Sequence, residues 1–581
     1  VAVEGEGGTA EEETVSDPIV FPSPPSSDAI EWPGSPLGLS NVITRTRTRT
    51  ALYDRAVDRQ PGRRDQLVRA AVSHLIRVAG ADRVYQHDVI IHGVRVRAVT
   101  NSDHLYDFWV DNWYSPPQWQ EATGRTPPRD PQVLVYALGR VPDQPEAAYY
   151  SRSTNTIVFF NTAYYGQLKS WVLGAVGRVL AEERGIHSIH GACVDKAGRG
   201  ILYIAPTGTG KSTSSYGLVS LPDTRFHSDD WVYVRYLYRT RDGRQLHPQA
   251  VTLPGGGRVV GYRVFRWLRE RAVAGATVTG VDLDDREVTV PVHALDLAAP
   301  VDAYAFTSEK VFYLRTNLVE TFPLAAPRML EAKLENVPDV TPAFLQAHDR
   351  QLEELAEALR AAGHPIASAP VGLSRDDLKR ALARLIAFDN ARALLDISTV
   401  LPPQRVYTNP LEPARLHTVI LLRRDADDPT VAERLDLPAF ISRLLVGETP
   451  ARTREVAYNA YRAVDDQVER AFIDALLEAV GGPQGRPDPA ALYRAYRAHP
   501  QVPETLLEEF ELFEVLHRAC HCYGLNTVLT ADPAVAGLKD AVARTLELIV
   551  ALLEEAPDPL RLTLHTYREF LARPAAGRRS S

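Results

Sequence analysis

A short apolar run, residues 200–205, passes directly into Ala205-Pro206-Thr207-Gly208-Thr209-Gly210-Lys211-Ser212-Thr213. This is the phosphate-loop pattern with Ala205 in place of its first glycine, and it works only between a strand and the start of a helix. Gly208 and Gly210 let the backbone curl so that successive N–H groups face phosphate oxygens. Lys211 supplies a point charge to the β- and γ-phosphates, and the Ser212 hydroxyl can ligate Mg2+. A glycine turn ahead of a helix is the plain alternative; a lysine and a serine at the two required positions argue against it. The surrounding domain is therefore expected to be α/β.

Two flanking segments carry further chemistry. Downstream, Arg225-Phe226-His227-Ser228-Asp229-Asp230 ends a β-like stretch in two adjacent acids. One acid can hold Mg2+ near the phosphates while the other binds a second metal or accepts a proton. An isolated Asp-Asp is usually a solvated turn, and its place after a phosphate loop reverses that preference. Upstream, Ser188-Ile189-His190-Gly191-Ala192 precedes the loop strand, so His190 can reach the same site from a neighbouring strand.

The chain has 581 residues, 45% hydrophobic and 24% charged. It can bury several cores, since single cores stop growing near roughly 250–300 residues. A net charge of −8 argues against a nucleic-acid binder. Three cysteines exclude a disulfide scaffold. No apolar run approaches the roughly 20 residues that span a bilayer, and residues 1–30 lack a signal-peptide pattern, so no membrane association is expected and the protein reads as cytoplasmic.

Composition and periodicity divide the chain into an acidic, proline-rich disordered arm (1–40), an N-terminal α/β domain (41–184), a phosphate-loop domain with β-rich and helical insertions (185–451) and a helical C-terminal domain (452–581) that offers a surface for a protein partner. His517, Cys520, His521 and Cys522 fall on a predicted helix, with His517 and His521 sharing a face, a spacing that suits zinc or, more commonly, a helical core. Gly255-Gly256-Gly257-Arg258 reads as a hairpin turn or a phosphate contact.

The order of histidine strand, phosphate loop and Asp-Asp strand resembles the catalytic core shared by HPr kinase and phosphoenolpyruvate carboxykinase. The longer resemblance is to ATP-dependent phosphoenolpyruvate carboxykinase. Arg83-Val84-Tyr85-Gln86-His87-Asp88 and Trp109-Val110-Asp111-Asn112 look like that family's N-terminal domain. Asn161-Thr162-Ala163-Tyr164-Tyr165-Gly166-Gln167-Leu168-Lys169 is similar to its Gly-Thr-x-Tyr-Ala-Gly-Glu-x-Lys-Lys segment, and Tyr313-Leu314-Arg315-Thr316-Asn317-Leu318 and residues 417–426 are similar to later landmarks. The resemblance implies ATP, Mg2+ and Mn2+ as cofactors. It implies that His190 and Asp230 hold a transition metal, that Asp229 acts with Ser212 on the nucleotide Mg2+, and that Lys169 touches the transferred phosphoryl group or the acid substrate. Arg405 would neutralise charge during transfer.

The departures are specific. Ser170 replaces the family's second lysine, the oxaloacetate clamp is not recognisable, although Arg45, Arg47 and Arg49 are candidate substitutes, and Trp231-Val232-Tyr233 stands where the family has Glu-His-Gly. Three functions follow: a divergent carboxykinase acting on oxaloacetate, a kinase of a small-molecule or protein hydroxyl, and a non-catalytic nucleotide sensor whose C-terminal helices engage a partner.

Overall fold

A computed structural model describes residues 39–43, 52–54, 60–79, 84–162, 165–205, 214, 217–219, 221–270, 274–315, 340–361, 363, 365–368, 372–387, 392–396, 403–446, 466–481, 488–554 and 560–573. The chain is a mixed α/β protein. A six-stranded sheet forms first, from Leu52–Asp54, Tyr85–Ile91, Val94–Thr100, Val133–Leu138, Ala147–Ser151 and Thr156–Phe160. The alternation of Val94-Arg95-Val96-Arg97 explains the second and third of these: Val94 and Val96 are fully buried while Arg95 and Arg97 emerge to pair with Asp88. Helix Arg63–Val78 packs Leu67, Ala71 and Leu75 against Tyr136, Leu138 and Phe160 of this sheet.

Asn161 ends the last strand at a φ of 59°, a left-handed conformation that asparagine tolerates, and its amide bonds to Val141 and Gln144. The chain then enters helix Tyr165–Val179, whose Trp171, Val172 and Val176 are buried. A single π-helical turn, Leu180–Arg184, closes on Gly185 at a φ of 65°. A side chain there would strike the Phe265 ring at 2.8 Å, so the turn requires glycine.

The second sheet has 13 strands, and five of them close a circuit. His187–Lys196 runs antiparallel to Arg199–Ile204, which lies parallel to Ala414–Arg423; that strand is antiparallel to Asp302–Phe306, which is antiparallel to Trp231–Arg239, which returns to His187–Lys196. Ile189, Ile204, Val234, Ala305, Leu416 and Val419, drawn from all five, share one core. On the other face Tyr203 and Ile420 pack with Leu218 and with Leu355, Leu382 and Leu548 of helices Asp349–Ala361, Arg375–Ala387 and Leu538–Leu553.

Two expectations are corrected. Residues 452–581 are not a separate helical domain: His521–Asn526 is a strand parallel to Ala414–Arg423, and Arg561–Thr563 pairs with Thr430–Arg434, so this region completes the 13-stranded sheet. Helix Glu504–Ala519 buries Phe510, Leu512, Phe513 and Leu516 in the core of that sheet. His517 and His521 share no helical face, because Cys520 turns the backbone to φ −132° and ψ 155°, where a strand begins. The proline-rich arm lies outside the described residues except for Leu39 and Ser40, which begin a strand paired with Arg392–Asp396. The Gly255-Gly256-Gly257 segment closes a hairpin, with Leu253 N donating to Gly257 O at 2.7 Å.

Candidate functional site

The loop strand Arg199–Ile204 ends at Ala205, which is buried; Pro206, Thr207, Gly208, Thr209, Gly210, Lys211, Ser212 and Thr213 lie outside the described residues, and so do Arg45, Arg47 and Arg49. What the sheet fixes is the edge from which the loop departs. Gly191 pairs with Ile204, which places His190 beside Ala205 at the carboxyl end of the loop strand.

The register also explains the His-Gly pair. A Cβ on Gly191 would lie 2.7 Å from the Tyr203 carbonyl oxygen, a backbone atom that cannot yield, so glycine lets the two strands approach. On the other side, Ser228 faces Cys193 and Trp231 faces His190, which leaves Asp229 and Asp230 abreast of Ala192 and Gly191. The Gly191 N–H donates to the Asp230 carbonyl at 3.0 Å. A register shift between Phe226 and Ser228 bulges the strand at His227 just before the acids, the device by which strands re-aim side chains.

Four side chains from separate elements then meet. The Asp230 carboxylate receives His190 Nε2 at 3.1 Å on one oxygen and the Lys169 ammonium at 2.9 Å on the other. Lys169, in the first turn of helix Tyr165–Val179, also forms an ion pair with Glu309, which lies between strands Asp302–Phe306 and Val311–Arg315. The Lys169 and Glu309 side chains are 5% and 6% exposed, against 34% for Asp230, so the pair forms the buried floor and Asp230 the accessible rim. Asp229 is buried. The Trp231 ring lies 5.5 Å from the His190 ring, and its Nε1 donates to Ser188 Oγ at 2.6 Å.

Burial by itself would lower the Lys169 pKa, but the carboxylates of Asp230, Glu309 and Asp229 outweigh it and hold the ammonium well above the usual lysine range. Burial, reinforced by Asp229 and Asp230, pushes the Glu309 carboxyl upward against the pull of Lys169. Among the described residues no three His, Cys, Asp or Glu side chains converge on one point as a metal site. The donor chemistry still suits a divalent ion in kind, an imidazole beside a carboxylate at a loop edge, with one buried Glu309 oxygen, Oε2, accepting no hydrogen bond.

Sequence reasoning had not singled out Glu309. It is a lone acid in Ser308-Glu309-Lys310 with no spacing to mark it, and only closure of the strand circuit brings it to Lys169. Arg405 is a correction. Its Nε donates to the Thr224 carbonyl at 3.1 Å and its Nη2 to the Val219 and Leu221 carbonyls, so the guanidinium fastens the turn between the phosphate-loop segment and the Asp-Asp strand. Ser170 donates to the Gly166 carbonyl at 2.7 Å, a contact within its own helix.

No protein-family model matches the chain. The chain is similar to phosphoenolpyruvate carboxykinase (ATP) 1 of Urochloa panicoides, with 28% identity over 148 residues. The match covers 23% of this chain and 23% of that protein. Among the described residues no helix is long and apolar enough to cross a membrane.

Proposed function

We propose that the protein transfers the γ-phosphoryl group of ATP, with divalent metal, at a site of the phosphoenolpyruvate carboxykinase kind. The observation that carries this reading is the meeting of Lys169, His190 and Asp230, far apart in the chain, at the sheet edge where the phosphate-loop sequence begins. The partial similarity to an ATP-dependent carboxykinase supports it.

In this reading Thr207, Gly208, Thr209 and Gly210 present backbone N–H groups to the phosphates beside Pro206 and Thr213, Lys211 pairs with their charge, and Ser212 and Asp229 face the nucleotide Mg2+. His190 and Asp230 would hold a transition metal such as Mn2+. Bound there, the metals neutralise charge on the phosphoryl oxygens. Lys169 keeps Asp230 aimed, and Arg405 acts from a distance by fixing the turn that joins the loop segment to the Asp-Asp strand. Little covalent chemistry is asked of the protein, and positioning and charge do the work.

Two acceptor classes fit such a site, oxaloacetate and a hydroxyl. The Ser170 hydroxyl on its own helix carbonyl, where the carboxykinase pattern has a second lysine, favours the hydroxyl. The test measures ADP formed from ATP with Mg2+ and Mn2+, with and without oxaloacetate, beside Lys211→Ala as blank. Phosphoenolpyruvate that appears only with oxaloacetate and vanishes in the variant supports a carboxykinase. ATP binding with no response to oxaloacetate supports the hydroxyl acceptor, and no ATP binding in the wild type overturns the whole reading.

A further inference from the structure

We infer that Glu309 sets the acceptor class of the site: it holds the Lys169 ammonium in an ion pair that an anionic acid would otherwise claim, so the acceptor is a small alcohol. The inference rests on the phosphoryl-transfer reading and gives it a substrate class. Lys169 stands between two carboxylates, Asp230 at 2.9 Å and Glu309, and the Lys169–Glu309 half of this arrangement is sealed from water. A carboxylate or keto-acid substrate arriving at Lys169 would have to displace one of them, and a displaced Glu309, buried and without its counter-charge, would have to take up a proton. An uncharged hydroxyl meets no such exchange. The neighbouring position offers no substitute cation, because it is Ser170, bonded to the Gly166 carbonyl.

The step balances with the groups named. The alcohol oxygen forms a bond to the γ-phosphorus of ATP as the bond from that phosphorus to the bridging oxygen breaks. ADP leaves with the bond electrons, and the hydroxyl proton is released to solvent water as the new bond forms. Glu309 touches none of the reacting atoms and acts through Lys169, so it is a positioning residue.

The experiment titrates the full-length protein with oxalate, a compact dicarboxylate, by calorimetry, with and without Mg-ATP, in the wild type and in Glu309→Gln. Loss of the buried carboxylate releases Lys169 from one partner, so E309Q is expected to bind oxalate about tenfold or more tighter than the wild type. Adding Lys169→Met to E309Q is expected to abolish that gain. A gain of anion affinity is not something damaged packing produces. Saturable oxalate binding by the wild type, or a folded E309Q that binds no more tightly, overturns the inference. If E309Q fails to fold, the wild-type titration decides: saturable binding overturns the inference, and its absence supports it. Absence of Mg-ATP binding by the wild type would instead sink the phosphoryl-transfer reading, a result separate from the oxalate comparison.

Discussion

Lys169 and Asp230 are 61 positions apart in the chain, yet their charged atoms lie 2.9 Å apart. A helix from the end of the first sheet and a bend in the second supply the two partners, so the contact joins the two halves of the protein at the site. Removing the ammonium leaves Glu309 buried without its counter-charge and takes one partner from Asp230. Lys169→Met is expected to cost about 3 kcal/mol or more of stability. The double variant with Glu309→Gln, which removes the stranded charge as well, is expected to recover part of that loss. Urea denaturation of the single and double variants measures both; equal loss in the two would show that Glu309 is not paired with Lys169.

Arg405 separates a structural from a catalytic role. Its hydrogen bonds go to the Val219, Leu221 and Thr224 carbonyls, and bonds from a charged donor are worth about 1.5–3 kcal/mol each where the group is buried. Arg405→Ala is therefore expected to lower the melting temperature and to leave ATP turnover largely intact below it. Arg405→Lys keeps the charge but not the fork, and is expected to restore little stability. A turnover collapse at unchanged melting temperature would place the guanidinium on the phosphoryl group instead.

Gly191→Ala tests whether the His-Gly pair is set by packing. The added methyl meets a backbone carbonyl at 2.7 Å, so the His190 strand must move away from the loop strand. A cost of about 1–3 kcal/mol is expected from overpacking. ATP affinity is expected to weaken as well, because the same movement displaces His190 from Asp230. A melt and a nucleotide titration on one preparation read both effects.

How much of this was legible in the sequence depended on whether a signal is local. The loop strand, the strand that ends at Ser228 and the His190 strand announce themselves through short apolar runs next to chemistry-bearing residues, and each forms as a strand. Ser374 and Asp377 are likewise readable as a helix start: Ser374 Oγ accepts the Asp377 N–H at 3.2 Å. Glu309 carried no local signal, because its partner comes from helix Tyr165–Val179, far away in the chain. His521–Asn526 was masked by its neighbour: the periodicity of Glu504–Ala519 runs on through Cys520 and His521 on paper, whereas parallel pairing to Ala414–Arg423 converts the segment to a strand. Arg405 showed a motif-like context and hid its hydrogen-bond partners, which are backbone atoms that sequence does not distinguish.

The buried histidines set the acid limit of the fold. His247 Nδ1 lies 3.2 Å from both the amide nitrogen and the carbonyl oxygen of Tyr236, and its Nε2 lies 2.9 Å from the Arg184 carbonyl. Burial, with Arg235 nearby, lowers its pKa to about 4; burial likewise lowers His227 to about 4 and His187 to about 3. Each folded-state value lies below the unfolded value of 6.5. The unfolded chain therefore binds protons that the folded chain refuses, and the stability from these rings is complete above pH 6.5 and is lost as pH falls toward 4. Where all three contribute, the slope is expected to reach about 4 kcal/mol per pH unit. Urea midpoints measured across this range should fall steeply with acid, and His247→Gln, which preserves a donor and an acceptor without a titrating ring, should flatten the fall by about a third. A pH profile identical to that of the wild type would mean that His247 is already protonated in the folded protein.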